Sequence, residues 1–368
     1  MLLDLQLPRP VQRPANGRSL TVLANHWGIQ VHTLALGRQW ASRGYDVVAR
    51  SGSDPWEIIA TAPQALLVQW AARIDALHLG LRLGIHDVLP LASGAILVSI
   101  SGQLLRWHHD RWMSVLAYDG FRKPTRHGLL CDRSGRIYVA QYSVNADLRR
   151  DVRLWRSTDG GVSFQLCHTF AKASTRHIHF IQEDHVDGAL WLGTGDLDAE
   201  VGLYRSRDGG DSWQRVGGGS QRWRAVGLAF TADALWWGTD AGADQQCGNS
   251  IVRWDRATGN LVAVHPLEGP AHGVTTLPNG SILFATGVEG GSNESDGSVH
   301  LWHGRERWQQ LAQWPKGLQP PIMQYGLAYF PRGQEDSSRL FIVQKGLRAG
   351  MLTTVEAVIG KAGERVTV

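Results

Sequence analysis

A short segment that occurs twice constrains the fold of this chain more than any other feature of its sequence. Residues 156–164 (RSTDGGVSF) recur as residues 205–213 (RSRDGGDSW), and both copies read Ser-x-Asp-x-Gly-x-Ser followed by an aromatic residue. Ser and Asp side chains can bond backbone N–H groups across a tight turn, and Gly readily adopts a positive φ. Each copy is therefore predicted to close a hairpin between two outer strands, which makes Asp159 and Asp208 structural residues.

A second, weaker repeat runs in step with the first. Six short apolar segments begin with polar residues, and their alignment places at one position His86, His127, His179, Val226, His272 and Tyr325. The spacings of about 41 to 53 residues suit one four-stranded propeller blade each. Each segment is followed by a turn and a second strand rich in Val, Ile and aromatic residues, at 94–98, 135–139, 189–193, 234–238, 281–285 and 339–343. The sequence predicts one all-β domain over residues 1–368, a β-propeller of six four-stranded blades.

The two ends of the chain leave the blade number open. Residues 47–50 and 56–60 look like the outer strands of a blade whose inner strands lie elsewhere. The N-terminal strands are predicted to complete the C-terminal blade and so close the ring; the alternative is that residues 19–24 begin a seventh blade. Residues 64–83 contain no Pro and a single Gly and are rich in Ala, Leu and Arg, which predicts a helical insertion between blades.

Composition and charge exclude several functional classes. The formal charge is +4 and the basic residues are scattered, so no nucleic-acid partner is expected. No stretch of about 18 apolar residues exists, which predicts no membrane span. The first residues lack a basic start followed by an apolar run, so no secretory signal is expected and the predicted location is cytoplasmic. The oligomeric state does not follow from the sequence.

The site candidates come from the geometry of a propeller, in which innermost strands start, and second strands end, at the same face around a central funnel. Strand starts place there His86, Arg126, His127, Arg176, His177, His179, Arg224, His272, Gln324 and Tyr325. Second-strand ends add Tyr142, Asp196, Asp240 and Glu289, together with the pair Gln344 and Lys345.

These polar residues allow three interpretations. His, Arg and Tyr could bind an acidic sugar, with Arg pairing its carboxylate at two points. A ring formed by His86, His127, His179 and His272 could instead hold a divalent metal, since neutral imidazole suits such ions. The third interpretation is structural, with the histidines lining a water-filled channel. We predict an acidic-carbohydrate site without a cofactor and keep the metal as the alternative.

Catalysis could follow one of two routes. Hydrolysis of a glycoside needs two carboxyl groups, and elimination needs a His or Tyr base with a cation that neutralises the uronate. The predicted catalytic residues are His127, His179, Asp196 and Asp240. The predicted binding residues are His86, Arg126, Tyr142, Arg176, His177, Arg224, His272, Glu289, Gln324 and Tyr325.

The twice-repeated segment resembles the Asp-box, or BNR, repeat of the sialidase-like β-propeller superfamily. The resemblance implies a propeller but no particular activity, because the repeat occurs in sialidases, other glycosidases, sortilin-like receptors and photosystem-assembly factors. The chain lacks the Arg-Ile-Pro-type N-terminal motif of sialidases, so classical sialidase activity is not expected. We predict a glycoside hydrolase or polysaccharide lyase-like propeller that acts on an acidic oligo- or polysaccharide. The alternative is a non-catalytic scaffold that binds glycans or proteins.

Overall fold

A computed structural model describes residues 17–242, 245, 247–290, 294, 296–333 and 339–361. No helix within these ranges is both long and apolar enough to cross a membrane. The first strand, β1 (Arg18–Trp27), precedes a series of four-stranded antiparallel units in which consecutive strands pair.

The first three units follow the chain in order. Unit 1 comprises β2 (Gln30–Ala35), β3 (Arg38–Arg43), β4 (Asp46–Arg50) and β5 (Glu57–Thr61). Two short helices follow, α1 (Leu66–Ala71) and α2 (Asp75–Gly80), inside the predicted helical insertion. Unit 2 comprises β6 (Asp87–Pro90), β7 (Ile96–Ile100), β8 (Gln103–His108) and β9 (Arg111–Ala117). Unit 3 comprises β10 (Leu129–Cys131), β11 (Ile137–Ala140), β12 (Val152–Ser157) and β13 (Gln165–Phe170).

Three more units repeat this arrangement. Unit 4 comprises β14 (Ile178–Glu183), β15 (Leu190–Thr194), β16 (Gly202–Ser206) and β17 (Gln214–Gly218). After a 3₁₀ turn at Gln221–Trp223, unit 5 comprises β18 (Ala229–Phe230), β19 (Ala234–Gly238), β20 (Asn249–Asp255) and β21 (Leu261–Leu267). Unit 6 comprises β22 (Ala271–Thr276), β23 (Ile282–Val288), β24 (Ser298–Gly304) and β25 (Trp308–Pro315).

The last unit combines the two ends of the chain. Unit 7 comprises β26 (Gly326–Tyr329), β27 (Arg339–Leu347) and β28 (Gly350–Lys361), and β1 pairs with β28 as its fourth strand. The end of β23 also pairs with β26, which joins units 6 and 7 into one sheet of eight strands. The described residues thus form seven four-stranded units; the sequence favoured six blades and left seven as the alternative.

The extra unit arises from the strands that were predicted to belong to the C-terminal blade. Residues 47–50 lie in β4 and residues 57–60 lie in β5, and β4 pairs with β3 of the same unit. The inner strands β2 and β3 show no apolar run because several of their buried residues are polar and hydrogen-bonded within the unit. His32 Nε2 lies 2.8 Å from Ser42 Oγ, for example, and Gln39 Oε1 accepts a bond from Arg50 Nε.

Apolar side chains pack between consecutive units. In β15, Trp191 joins the cluster shared with unit 5, whereas Leu190 and Leu192 join the cluster shared with unit 3. Side chains alternate between the two faces of a strand, so a second strand that is buried on both faces is apolar throughout. Seven such clusters exist among the described residues, and one of them combines unit 7 with unit 1 through Tyr329 and Val31.

A buried carboxylate also links the first and last units. Glu356 on β28 accepts bonds from Arg50 on β4 at 2.6 Å and from Arg339 on β27 at 3.1 Å. Its Oε2 also lies 3.0 Å from His26 Nε2 on β1. Burial would raise the pKa of Glu356, but the bonds from His26 and Arg50 lower this pKa to about 2.

Both copies of the repeated motif form the turns predicted from the sequence, joining β12 to β13 and β16 to β17. In the first copy, Asp159 Oδ1 accepts bonds from the backbone N–H groups of Val162 and Ser163, each at 3.0 Å. Ser157 Oγ accepts a bond from the Gly161 N–H at 2.9 Å. In the second copy, Asp208 Oδ1 likewise accepts a bond from the backbone N–H of Ser212, four residues later. The motif therefore stabilises a turn in both units.

We expect Asp159→Ala to lower the free energy of unfolding by about 1–2 kcal/mol, because several turn bonds of the carboxylate are lost at an exposed position. Chemical denaturation at neutral pH would measure this. Asp119→Ala, a change at an exposed carboxylate with only a 3.8 Å ion pair to Arg153, is the control and should be close to neutral. Loss of any activity at full stability would contradict the structural role of Asp159.

Candidate functional site

All seven units contribute side chains to one cavity of about 600 Å³. Antiparallel neighbours bring the start of each innermost strand beside the end of the second strand, so residues at these positions converge. In order of the units, lining residues include Gln30, His86, Tyr142, His179, Asp196, Arg224, Asp240, His272, Glu289, Tyr325 and Lys345. Helix α2 and the segment 321–324 add His78, Leu79 and Met323 to the lining.

The cavity is lined by most of the predicted site residues but not by all of them. The lining includes His86, Arg126, Tyr142, His179, Asp196, Arg224, Asp240, His272, Glu289, Gln324 and Tyr325. Three predicted residues lie outside it, namely His127, Arg176 and His177. Of the four histidines considered as an alternative metal site, His86, His179 and His272 line this cavity and His127 does not.

His127 lies in a different environment from the other aligned histidines. It is buried and lines a separate small cavity together with Asp87 and Arg332. Burial lowers the pKa of His127 well below its usual value, with the charges of Arg126 and Arg332 acting in the same direction. A catalytic role for His127 in the large cavity would require access that this placement does not provide.

Arg176 is already paired inside the protein. Its Nε and Nη2 donate to the two carboxylate oxygens of Glu200, each at 2.8 Å. A guanidinium that holds one carboxylate at two points cannot present the same edge to a ligand. Arg176 therefore acts as a support of the neighbouring Asp196, whose Oδ2 lies 3.5 Å from Arg176 Nη1, rather than as the predicted grip for a substrate.

His177, His179 and Asp196 form a compact triad, which we call the HHD triad. The two Nε2 atoms are 2.9 Å apart, and Asp196 Oδ1 lies 3.3 Å from His177 Nε2 and 3.1 Å from His179 Nε2. Burial would raise the pKa of Asp196, but its contacts with the two histidines lower the pKa well below the usual range. Burial also lowers the pKa of His177. Asp196 is therefore a carboxylate and not a proton donor.

A second cluster contains the other two acids predicted at second-strand ends. Glu289 Oε1 lies 3.0 Å from His272 Nε2, and Asp240 Oδ1 lies 3.9 Å from the same nitrogen. One oxygen from each carboxyl group and His272 Nε2 all lie within 4.8 Å of one another. Arg224 contacts Asp196 at 3.0 Å and Asp240 at 3.4 Å, so it connects this cluster to the HHD triad.

The two carboxyl groups of this cluster differ in acidity. Burial raises the pKa of Asp240 although Arg224 and His272 oppose the shift. Burial would also raise the pKa of Glu289, but the bond with His272 lowers it. The pKa values of these two neighbouring carboxyl groups are thus shifted in opposite directions, as in sites of acid–base chemistry.

The remaining wall of the cavity is basic. It contains Arg82, His86, Lys123, Arg126 and Lys345. Among the described residues neither lysine ammonium has a hydrogen-bond or ion-pair partner, although Lys345 Nζ lies 5.7 Å from the centre of the Tyr329 ring. Burial, reinforced by Arg82, lowers the pKa of Lys123 to about 8. Burial, reinforced by Lys123, lowers the pKa of Lys345 well below its usual value.

The sequence did not assign a role to these lysines. Lys345 stands at a second-strand end, where the repeat places funnel residues, so a signal for it was present. Lys123 lies between β9 and β10 outside any repeat, and no periodicity could have found it.

Comparisons with known proteins define the fold. No family model and no curated protein matches the chain. Among solved structures, the GH74 enzyme from Niastella koreensis is 15% identical, with 81% of this chain and 47% of that chain covered and a TM-score of 0.53. Oligogalacturonate lyase from Vibrio parahaemolyticus is 9% identical, with 94% and 92% covered and a TM-score of 0.55. The fold is that of a β-propeller.

A third structure, described as an ancestral GH74 enzyme, is 11% identical, with 94% of this chain and 55% of that chain covered and a TM-score of 0.53. The chain spans about half the length of the GH74 enzymes that it resembles. At these identities the similarity concerns the fold and not the activity of this propeller.

Proposed function

We propose that the seven units form a closed seven-bladed propeller whose two full motif copies are Asp-boxes. The seven apolar clusters connect each unit to the next and the last to the first. The Arg332 guanidinium, which follows β26, supports closure at the centre, since it bonds Asp87 of unit 2 at 2.6 Å and Thr33 of unit 1 at 3.0 Å. It also donates to the backbone oxygen of Arg126, which precedes unit 3.

We propose that the central cavity binds an acidic oligosaccharide and cleaves it. The observation that carries this proposal is the pair of ammonium groups, Lys123 and Lys345, that face the cavity without an anionic partner among the described residues. Cations held away from bulk water without a counter-charge are unfavourable, so an anionic ligand group at this wall is stabilising. Arg126, which also lines this wall, can add hydrogen bonds to a carboxylate.

The second cluster supplies the groups for hydrolysis. Asp240, whose pKa is raised, would protonate the leaving oxygen, and ionised Glu289 would act as nucleophile or base. Oxygens of the two groups lie within 4.8 Å, nearer the separation of about 5–5.5 Å typical of retaining enzymes than the larger one of inverting enzymes. Tyr142 and Tyr325 present aromatic rings to the same cavity, where sugar faces can pack.

Elimination is the second candidate reaction, because Lys345 could act as its base. Burial lowers the pKa of Lys345, so this ammonium gives up its proton more readily than an exposed lysine does, and the amine so formed could remove the proton beside a uronate carboxylate. Lys123 and Arg126 would neutralise that carboxylate.

The test is a panel of uronate- and sialate-bearing oligosaccharides incubated with the purified chain. New reducing ends without ultraviolet absorbance would show hydrolysis, and reducing ends with absorbance would show elimination, because only elimination leaves an unsaturated product. If no glycan of the panel is bound or cleaved, the proposal fails and the scaffold alternative stands.

Binding should depend on the basic wall. We expect Lys345→Met to weaken binding of an acidic glycan by about tenfold or more, because one charge-assisted contact is lost. Titration calorimetry at low and high salt would measure the change. Lys172→Met, at an exposed lysine that is not part of the cavity lining, is the control and should bind like the wild type. If both variants bound the acidic glycan with equal affinity, the basic wall would not be the surface that binds it.

A further inference from the structure

The HHD triad brings three possible electron-pair donors, two imidazole nitrogens and one carboxyl oxygen, to within 3.3 Å of one another. His177 Nδ1 lies 3.0 Å from the Ser143 carbonyl oxygen, and His179 Nδ1 lies 3.0 Å from the Ala225 carbonyl oxygen. A carbonyl oxygen can only accept, so each Nδ1 carries the proton and donates it. In the neutral imidazoles both Nε2 atoms therefore have a free lone pair.

These two lone pairs face each other and a carboxylate oxygen. The Nε2 atoms are 2.9 Å apart, and Asp196 Oδ1 lies 3.1 and 3.3 Å from them. All three side chains are held in place, since the backbone carbonyls fix both rings and Arg176 supports the other carboxylate oxygen. A cation placed between these three electron-pair donors would stabilise their arrangement.

We propose that His177, His179 and Asp196 bind one divalent transition-metal ion. For bonds of about 2.1 Å, ligand atoms lie about 3.0 Å apart at neighbouring octahedral positions and about 3.4 Å apart in a tetrahedron. Two of the observed separations, 3.1 and 3.3 Å, fall in this range, and the third, 2.9 Å, lies just below it. Two imidazoles and one carboxylate on a single face are a ligand set for Zn²⁺ or Fe²⁺.

The surroundings of the triad also suit a metal. Backbone carbonyls that accept from the far nitrogen are the usual outer partners of metal-binding histidines, because they fix the ring orientation. Arg176 is neutralised by Glu200. Arg224 Nη2 lies 3.0 Å from Asp196 Oδ1, the oxygen assigned to the ion, and its Nε lies 3.4 Å from Asp240 Oδ2. A carboxylate oxygen has two lone pairs, so Oδ1 can contact Arg224 and still bind the ion. His179 and Asp196 line the cavity, which leaves the remaining coordination positions of the ion open to a ligand there.

This site differs from the metal ring considered from the sequence. That ring combined His86, His127, His179 and His272, which lie in four different units. The triad instead takes both imidazoles from one strand region through the i, i+2 spacing of His177 and His179, and it takes the carboxylate from the end of the adjacent strand β15. Its test is independent of glycan cleavage, because metal binding is measured directly.

The experiment uses the full chain, stripped with a chelator and titrated with Zn²⁺ by calorimetry and native mass spectrometry. We expect about one tightly bound ion per chain, and Co²⁺ should give visible d–d absorption bands whose intensity reports the coordination geometry. His179→Ala and Asp196→Asn should lower the Zn²⁺ affinity by about 100-fold or more, since each removes a ligand.

The matched control is His185→Ala, which removes an exposed imidazole that is not part of the cavity lining. It should bind Zn²⁺ like the wild type. His177→Gln keeps a side chain of similar size and is therefore less prone to misfold than an alanine variant. Circular dichroism with thermal melting verifies that each variant is folded. The proposal is overturned if folded wild-type chain binds no ion, or if His185→Ala loses the ion while His179→Ala keeps it. If the wild-type chain binds no ion, a proton shared between the two Nε2 atoms and Asp196 Oδ1 would hold the triad together instead of a metal.

Discussion

Asp240→Asn is expected to lower kcat on the cleaved acidic oligosaccharide by about 10²–10⁴-fold, the usual contribution of a positioned general acid. The amide has the size of the carboxyl group but no proton of suitable acidity. Asp240 is buried, and its Oδ1 has no hydrogen-bond partner among the described residues, so an amide of the same size breaks no hydrogen bond at that oxygen. The variant should therefore remain folded, and steady-state kinetics at saturating substrate would measure the loss.

Two measurements make this prediction specific. Asp233→Asn changes a carboxylate of the same unit that pairs with Arg253 and Arg305 at the surface, and it should leave kcat within about twofold of the wild type. The raised pKa of Asp240 should also appear in the pH profile, because the group acts while protonated and the rate falls as the pH rises through that pKa. An unchanged kcat in Asp240→Asn would exclude Asp240 as the acid.

Glu356→Gln is expected to lower the free energy of unfolding by about 3–5 kcal/mol at pH 7, because it leaves the buried guanidinium of Arg50 without its counter-charge. Arg50 and Glu356 expose only 5% and 6% of their side chains, so water cannot replace the lost partner. Guanidinium-induced unfolding would measure the effect. The control is Glu57→Gln, because the ion pair of Glu57 with Arg38 is exposed and its loss should cost less than about 1 kcal/mol.

The same carboxylate predicts a pH dependence with a definite sign. The pKa of Glu356 is about 2 in the folded chain, below the value of about 4.3 of an unfolded Glu. Its stabilisation is therefore complete above the unfolded pKa and is lost as the pH falls towards 2. The difference in stability between wild type and Glu356→Gln should narrow over this window. A stability difference between the two proteins that stays constant from pH 7 to 3 would contradict the lowered pKa of Glu356.

The fold was largely predictable because its repeat is local. The turns of the repeated motif depend on side chains and N–H groups a few residues apart, and the second strands are buried on both faces, so both leave clear patterns in the sequence. The outer strands of unit 1 were predicted, but its inner strands were missed for the opposite reason. The inner strands bury polar residues such as His32 and Gln39, whose partners compensate the burial but hide the apolar pattern.

The site was predictable in outline but not in its pairings. The alignment of inner strands located His179 and His272, and the strand ends located Asp196, Asp240 and Glu289. The alignment did not show that the Arg176 guanidinium is paired with the Glu200 carboxylate, because Glu200 lies in the loop after β15 and belongs to no repeat. Side-chain pairing between a strand start and a loop depends on packing in three dimensions, which spacing along the chain does not specify.

The pairing of β1 with β28 has a consequence for how the chain folds. Residues 18–27 meet their partner strand only when residues 353–361 are present, so this contact has one of the longest sequence separations in the molecule. Contacts of this kind form late and slow folding, although the entropy of closing a loop rises only logarithmically with its length. Until they form, β28 is an unpaired edge to which a strand of another chain could add. Aggregation during refolding should therefore be most severe before β1 has paired, and it should increase with protein concentration.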